Sequence, residues 1–378
     1  MKFQLELKSL SEAIGIAGHA VAVRSVRPIL SNLLITANGN ELRFVGTDLE
    51  IMMICKAKAR VERNGHFTIP AKLLQEIVSC IPGEPDELVT FEMDPENEIS
   101  VNITCGRNKF NLQIQGIEDF PPVPVFDGEE IPIFELQSEV FAKALKEASI
   151  AMGTEEGNPV QRSICIDFSD EHRPVLVATD SKRLSVARID NTSVPEAFRN
   201  VFIVPARAVH ELQKLADSTE KILVGIYKGQ LVFTTENFQL ITRLIDGRFP
   251  DYKRVLPKES SRVLKINRKE FSQALKAVQP IARNKSGQVL LEISQNETRV
   301  WCETKELGKA EIFVPSELQG EPINIAFNVK FIQDFINVIV DEQVVLGMTT
   351  PSYPGLLKPG NPESDFQYVL MPMSYAEN

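Results

Sequence analysis

The feature that most constrains this chain is an internal threefold repeat. Three segments share a strand of alternating apolar residues, a polar turn and an amphipathic helix, and they begin at Phe3, Phe134 and Leu264, which lie 131 and 130 residues apart. The apolar residues recur with a period of two in each strand and of about 3.6 in each helix. Because solenoid repeats are only about 20–50 residues long, the pattern predicts three large, similar domains.

Two more landmarks recur in the same order in each repeat. The first is an apolar strand that ends at Pro or Asn, residues that favour helix initiation, and leads into a helix at 67–74, 202–209 and 325–332. The second is a closing strand followed by a Pro-containing segment, at 110–122, 238–252 and 366–373. The sequence therefore predicts an α+β fold of three similar units, each with two helices and many short strands, over residues 1–127, 128–252 and 253–378.

The cysteines, histidines and glycines exclude several classes of chemistry. The five cysteines are widely spaced and form no CxxC pair, and the four histidines form no HExxH motif, so neither a disulfide framework nor a zinc site is expected. No phosphate-binding glycine loop and no GxSxG motif occurs. No apolar run approaches the length of a membrane span, and no apolar leader opens the chain. We expect a cytoplasmic protein with no metal, no cofactor and no catalytic residues.

Two alternatives remain open at this point. Asp48 and Asp180 each follow a Thr after an apolar strand, so an acid-based hydrolytic enzyme is one of them. Neither Asp has an evident base, metal or nucleophile partner, and the repetition of Thr-Asp in two units favours a shared structural turn. The other alternative is a repeat scaffold that binds only proteins.

The net charge of −10 argues at first against a nucleic-acid partner, because phosphate contacts come from Lys and Arg. The charge is unevenly distributed, however. Six predicted helical segments carry 13 bases and 9 acids, and the remainder of the chain is correspondingly more acidic; the segments are 9–27, 70–80, 138–150, 205–217, 268–285 and 328–341. A helix-lined face is therefore predicted to be positive, and it would contact phosphates without reading bases.

Four stretches resemble motifs of the bacterial DNA polymerase III β sliding clamp family: Thr-Asp-Leu-Glu at 47–50, Thr-Asp-Ser-Lys-Arg-Leu at 179–184, Arg-Phe-Pro-Asp-Tyr-Lys-Arg-Val-Leu-Pro at 248–257 and Tyr-Val-Leu-Met-Pro-Met at 368–373. The resemblance covers the whole chain, including its three-part plan. It implies clamp domains with two helices packed on antiparallel sheets, and a head-to-tail homodimer that closes into a ring around duplex DNA. It also implies a non-catalytic processivity factor that tethers the replicative polymerase, and binds the clamp loader, other polymerases and repair proteins.

The resemblance implies a pocket between the second and third domains that binds short partner peptides. Its residues would be Thr179, Arg183, Leu184, Pro250, Arg254, Val255, Asn328, Phe331, Val369, Leu370, Met371, Pro372 and Met373. This chain departs from many members of the family in two places. Ser181-Lys182 stands where several relatives have Gly and His, and five residues follow Met373 where many clamps end. Both departures predict a pocket rim with its own peptide preference.

The resemblance also assigns a dimer seam and two DNA contacts. Phe110 and Leu112 of the first domain would lie opposite Pro280 and Ile281 of the third. Arg24 and Lys72 match positions that contact phosphate in the family. Further DNA-facing residues follow only from the helix-face hypothesis, and they are Lys143, Lys146, Arg207, Lys214, Lys276 and Lys330.

Overall fold

The computed structural model describes residues 1–93, 99–124, 132–154, 157–190, 192–217 and 219–375. Within this part of the chain there are six α-helices, and the strands pair with antiparallel neighbours. The helices are α1 Leu7–Gly18, α2 Ala71–Cys80, α3 Ser138–Ser149, α4 Ala206–Ala216, α5 Arg268–Ala282 and α6 Val329–Val338. The predicted α+β class, with two helices in each third of the sequence, is confirmed.

The strands range from 4 to 12 residues in length. In chain order they are β1 Lys2–Glu6, β2 Asn32–Asn38, β3 Glu41–Thr47, β4 Ile51–Lys58, β5 Arg60–Arg63, β6 Gly65–Pro70, β7 Leu88–Met93, β8 Ser100–Cys105, β9 Asn108–Gln113, β10 Ile133–Gln137, β11 Ser163–Asp167, β12 Val175–Thr179, β13 Arg183–Arg188, β14 Val201–Pro205, β15 Lys221–Tyr227, β16 Gln230–Thr234, β17 Phe238–Thr242, β18 Arg262–Asn267, β19 Gln288–Ile293, β20 Glu297–Thr304, β21 Gly308–Gln319, β22 Ile323–Asn328, β23 Gln343–Met348, β24 Gly355–Pro359 and β25 Gln367–Leu370.

The chain divides into two compact units. The first comprises Met1–Ser138 and His210–Leu244, and it contains a five-stranded sheet in the order β5-β1-β7-β8-β9 and an eight-stranded sheet in the order β10-β15-β16-β17-β4-β3-β2-β6. In this unit α1 packs against α2 and against β3 and β4.

The second unit comprises Glu139–Val209 and Ile245–Asn378. Its strands form one twelve-stranded sheet, in the order β14-β11-β12-β13-β25-β24-β23-β18-β21-β20-β19-β22. The helices α5 and α6 pack together and cover part of it. Because β25 lies between β13 and β24, the sheet joins sequence from the second and third repeats, which places the residues of the predicted pocket within one unit.

The helices bury the apolar faces that their sequences predict. In α5, Phe271, Ala274, Leu275 and Val278 are all buried at the spacing expected of one helical stripe. Full burial of a Leu or Phe side chain contributes about 1.5–3 kcal/mol, so such stripes fix each helix on its sheet.

The prediction that the first helix extends over 9–27 is wrong, because α1 ends at Gly18. The last turn of α1 packs directly on β3, where a Cβ atom on Gly46 would lie 2.1 Å from the Ala17 carbonyl oxygen. Beyond Gly18 the chain is rich in Val, whose branched side chain lowers helix propensity, and Pro28 opens a short 3₁₀ turn. Arg24 therefore lies in an exposed loop and not on a helix.

Smaller differences occur elsewhere. α5 ends at Ala282 and α6 at Val338, three residues before the predicted ends. With the observed bounds, the six helices carry ten basic and seven acidic residues, so basic residues still outnumber acidic ones in the helices, as predicted.

The predicted boundary between residues 127 and 128 lies outside the described residues. No helix of the described ranges is long and apolar enough to cross a bilayer.

Candidate partner-peptide pocket and DNA-facing residues

The turn that joins β12 to β13 is held by its own side chains. Thr179 Oγ1 donates a hydrogen bond to the Arg183 carbonyl oxygen at 2.7 Å. Asp180 Oδ1 accepts from the backbone N–H groups of Lys182 at 2.9 Å and Arg183 at 3.0 Å. Ser181 has a φ of 74°, in the left-handed region that favours Gly. The turn thus holds Ser181 in a backbone conformation that costs a non-Gly residue some conformational energy.

The same turn recurs in the first unit between β3 and β4. Thr47 Oγ1 donates to the Ile51 carbonyl oxygen at 2.7 Å, and Asp48 Oδ1 accepts from the N–H groups of Glu50 and Ile51, each at 2.9 Å. Leu49 takes the left-handed conformation, with a φ of 79°. In both turns the Asp carboxylate is engaged by backbone donors, which supports the shared-turn interpretation over a catalytic one.

Arg183 is the centre of a buried polar cluster. Its side chain is only 6% exposed, and its Nε donates to Asp180 Oδ2 at 2.9 Å. Its Nη1 donates to Asp334 Oδ2 at 2.6 Å and lies 3.3 Å from the Tyr368 hydroxyl. The guanidinium carbon stacks 4.2 Å from the centroid of the Phe331 ring. One side chain therefore connects the β12–β13 turn, strand β25 and helix α6.

The electrostatics of this cluster keep Arg183 charged. Burial by itself lowers the pKa of Arg183, but Tyr368 and the carboxylates of Asp334 and Asp180 outweigh it and raise the pKa above its ordinary value. Burial raises the pKa of the Tyr368 phenol, which stays neutral. A buried cation of this kind is tolerated only because several acceptors surround it.

A second buried contact positions the segment after β17. Phe249 and Tyr252 are buried in an apolar cluster with Leu184 and Val369. The Tyr252 hydroxyl donates to Asp167 Oδ2 at 2.7 Å. Burial raises the pKa of Tyr252, and this hydrogen bond raises it further.

Asp167 is the acceptor that holds this segment. Burial raises its pKa, but hydrogen bonds from Ser169 and Tyr252 outweigh that effect and hold it below its usual range. With Tyr252 anchored, Pro250, Arg254 and Val255 remain exposed on the neighbouring backbone.

The C-terminal strand completes the arrangement. On β25, Leu370 pairs with Arg183 and Val369 with Leu184, and all four are buried. Beyond the strand, the Met371 N–H donates to the Lys182 carbonyl oxygen at 2.9 Å, and its side chain is 43% exposed.

Met373 and the first two residues of the five-residue extension contact β22 and the start of β19. The Met373 N–H donates to the Ala326 carbonyl oxygen at 2.8 Å. The Ser374 carbonyl oxygen accepts from Gln288 Nε2 at 2.8 Å, and the Tyr375 hydroxyl donates to the Asn324 carbonyl oxygen at 3.1 Å. Residues 376–378 lie outside the described residues.

Asn328 has a structural role at the start of α6. Its Oδ1 caps α6 by accepting from the Lys330 N–H at 2.9 Å, and its Nδ2 donates to the Ser286 carbonyl oxygen at 3.1 Å.

Three residues that hold the pocket together were not predicted from the sequence, namely Asp334, Tyr368 and Asp167, although Tyr368 belongs to one of the motifs quoted above. Asp334 lies one helical turn beyond Phe331, and only the fold brings it to Arg183.

Comparison with known proteins covers nearly the whole chain. Residues 1–124 match the N-terminal domain of the DNA polymerase III beta subunit, residues 135–251 the central domain and residues 253–374 the C-terminal domain. The chain belongs to the DNA polymerase III beta subunit family.

Members of the DNA polymerase III beta subunit family also match along their full length. The beta sliding clamp of Caulobacter vibrioides strain NA1000 is 30% identical over 380 residues, with 99% of this chain and 100% of that protein covered. The sliding clamp of Bartonella birtlesii bound to griselimycin has a TM-score of 0.91 at 27% identity, covering 99% and 100% of the two chains. The Bacillus subtilis sliding clamp superposes with a TM-score of 0.92 at 24% identity, covering both chains completely.

The basic residues that the beta subunit resemblance and the helix faces assign to DNA are mostly exposed. Lys72 is 90% exposed and lies 3.9 Å from Glu76. Three more of these lysines pair with acids on their own helices, namely Lys143 with Glu147, Lys214 with Glu211 and Lys330 with Asp334. Arg24, Lys146 and Lys276 are exposed, and Arg207 is half-buried. Their contact with DNA stays a prediction.

The residues assigned to the dimer seam occupy two different environments. Phe110 is half-buried on β9, which is the last strand of the five-stranded sheet, and Leu112 belongs to the core of the first unit. Pro280 is exposed and Ile281 half-buried in the last turn of α5. Among the described residues β9 pairs only with β8, so its other edge can accept another strand, and the seam itself stays a prediction.

Proposed function

We infer that this chain is a DNA sliding clamp, a non-catalytic subunit of the DNA polymerase III holoenzyme that encircles duplex DNA and tethers the replicative polymerase. The observation that carries this conclusion is the match of three beta subunit domains, in order, along the chain. The three domains are assigned to residues 1–127, 128–252 and 253–378, and the protein to the bacterial cytoplasm.

Such a ring acts by encircling the DNA and not by catalysis. Two copies joined head to tail bring six domains and twelve helices around the duplex, and the free edge of β9 is suited to the seam. A polymerase held on a ring that cannot leave the DNA rebinds its template at a high effective concentration, which makes synthesis processive.

Partners bind through short peptides at the pocket beside Arg183. Among the residues assigned to this pocket, those with exposed side chains are Pro250, Arg254, Val255 and Met371. The flexible thioether of Met adapts to different apolar anchors, so one pocket can serve the polymerase, the clamp loader and repair proteins. The buried residues Arg183 and Tyr368 hold these walls in place.

The topological claim is tested by loading the protein on nicked circular plasmid with a clamp loader and ATP, and then raising the salt concentration. We expect the loaded ring to stay on circles and to be lost after a restriction enzyme linearises them, because a ring slides off free ends. An inactivated restriction enzyme is the control. Equal loss from circular and linear DNA would contradict encirclement and would favour a scaffold that binds only proteins.

Reversing two charges tests the DNA-facing residues. R24E combined with K72E is expected to weaken DNA binding and to reduce the slope of log K against log[salt] by about two, since each phosphate contact contributes about 0.9. The matched control is K58E combined with R60E, which reverses two exposed charges on β4 and β5. The same loss in both double variants would show only a dependence on net charge.

A further inference from the structure

A cavity of about 500 Å³ lies in the first unit beside the Thr47–Ile51 turn. Its walls are largely apolar, and the residues that form them include Leu49, Ile51, Met52, Phe120, Pro121 and Ile241. Leu49 is 36% exposed, at the tip of the turn. The cavity is separate from the residues assigned to the peptide pocket, and it resembles that pocket in its construction.

The first correspondence is a backbone hydrogen bond. Beside the cavity, the Arg243 N–H donates to the Glu50 carbonyl oxygen at 2.9 Å. At the peptide pocket, the Met371 N–H donates to the Lys182 carbonyl oxygen, also at 2.9 Å. Arg243 therefore occupies the position that Met371 occupies at the peptide pocket, and Glu50 occupies the position of Lys182.

The strand register gives the same alignment. On β17 and β4, Thr242 pairs with Ile51 at the end of the ladder. On β25 and β13, Leu370 pairs with Arg183 in the equivalent place. Since hydrogen bonds and register agree, the two sites are the same structural element used twice.

The closing segment of each repeat completes the match. Phe120 is buried and followed by Pro121 at the cavity, as Phe249 is buried and followed by Pro250 at the peptide pocket. Each site thus combines a Thr-Asp turn, the end of a strand from the following repeat and a Phe-Pro segment.

Two charged positions are reversed between the two sites. Glu50 occupies the position of Lys182, and Asp119, which precedes Phe120, occupies the position of Arg248, which precedes Phe249. Glu118 adds a third acid to the lining of the cavity, while Arg27 and Arg243 also line it and suit peptide carbonyl groups. The acidic positions favour a ligand with basic side chains.

We propose that this cavity is a second peptide-binding site, which takes an extended segment of a partner protein with two apolar or aromatic anchors flanked by Lys or Arg. The apolar walls accept the anchors, and Glu50 and Asp119 select the basic flanks over the ligands of the first pocket. The proposal extends the proposed function to a second class of partner peptide, and it does not depend on DNA encirclement.

The test uses the full-length protein and two fluorescein-labelled peptides, which share Leu and Phe anchors and differ in having Lys or Glu on both flanks. E50K combined with D119K is expected to weaken binding of the Lys peptide by about tenfold. The matched control is E236K combined with D86K, which reverses two exposed acids outside the cavity and is expected to change the affinity by less than about twofold.

A third variant separates the two sites. M371D places a negative charge in the first pocket. The Lys peptide should still bind this variant through the second site, whereas the Glu peptide should no longer bind. Loss of the Lys peptide in M371D alone, equal loss in both charge-reversal variants, or failure of the Lys peptide to bind the wild-type protein would each overturn the second site. Because Lys182 and Arg248 stand at the matched positions of the first pocket and favour acidic flanks, failure of the Glu peptide to bind the wild-type protein would instead count against that pocket and the proposed function.

Discussion

Replacing Arg183 with Gln is expected to lower the free energy of unfolding by about 3–5 kcal/mol, the usual cost of removing one partner of a buried ion pair. The substitution leaves the carboxylates of Asp180 and Asp334 and the Tyr368 hydroxyl without their shared donor. It also removes the cation that stacks on Phe331. Urea unfolding followed by circular dichroism measures the loss.

Peptide binding is expected to fall in the same variant, although Arg183 is too buried to serve as a major contact for a ligand. The guanidinium fixes the β12–β13 turn against α6 and β25, so its loss loosens the wall that carries Met371. A polymerase-derived peptide is titrated into the folded variant in the absence of urea. Its affinity should be lower than for the wild-type protein by about tenfold or more.

Two further variants distinguish a positioning role from a general effect of charge. R188Q makes the same change on the same strand, where Arg188 forms ion pairs with Asp190 and Asp365 near the surface, and it should cost less than about 1 kcal/mol. R183K keeps the charge but lacks the planar fork, so it should restore only part of the stability and affinity. If R183Q behaves like R188Q, Arg183 does not hold the pocket together.

The sequence predicted the parts of this molecule that local pattern determines. The threefold repeat, the apolar helix faces and the Thr-Asp turns all depend on residues close together in the chain, and the structure contains them. The end of α1 was misplaced because the packing of Ala17 on Gly46 depends on a strand that lies far along the chain. Likewise, no local signal identifies Asp334 as the partner of Arg183, 151 residues away.

The cavity at the proposed second peptide site shows a different limit of prediction from sequence. Its position follows from the repeat, since Thr47 and Thr179 begin equivalent turns. Aligning the repeats by sequence gives no indication of open space, however, and only the packed structure shows that Ile241 and Phe120 leave a cavity. Burial of a charged residue is similarly hidden, because Glu147 follows Lys143 by one helical turn, a spacing typical of an exposed ion pair, and only the packed structure shows that its side chain is 7% exposed.

Glu147 is expected to make the stability of the protein depend on pH. Its side chain is only 7% exposed, and burial raises its pKa from 4.5 to about 7; Lys143 opposes this shift, and Asp190 and Asp341 add to it. Below pH 4.5 the carboxyl is protonated in both the folded and unfolded chain. As the pH rises from 4.5 to about 7, the carboxyl ionises in the unfolded chain but stays protonated in the folded one, so about 3 kcal/mol of stability is lost, at about 1.4 kcal/mol per pKa unit.

E147Q removes this titration, so its advantage over the wild-type protein should grow by about 3 kcal/mol between pH 4.5 and pH 8. Unfolding in urea at a series of pH values measures that difference directly, and the isosteric amide keeps the volume of the side chain. E139Q is the matched control, because Glu139 is exposed in the first turn of the same helix and its difference from wild type should not grow. A pH-independent difference for E147Q would mean that the Glu147 carboxylate is solvated in the folded protein, and that α3 presents an additional negative charge beside Lys143 on a face assigned to DNA.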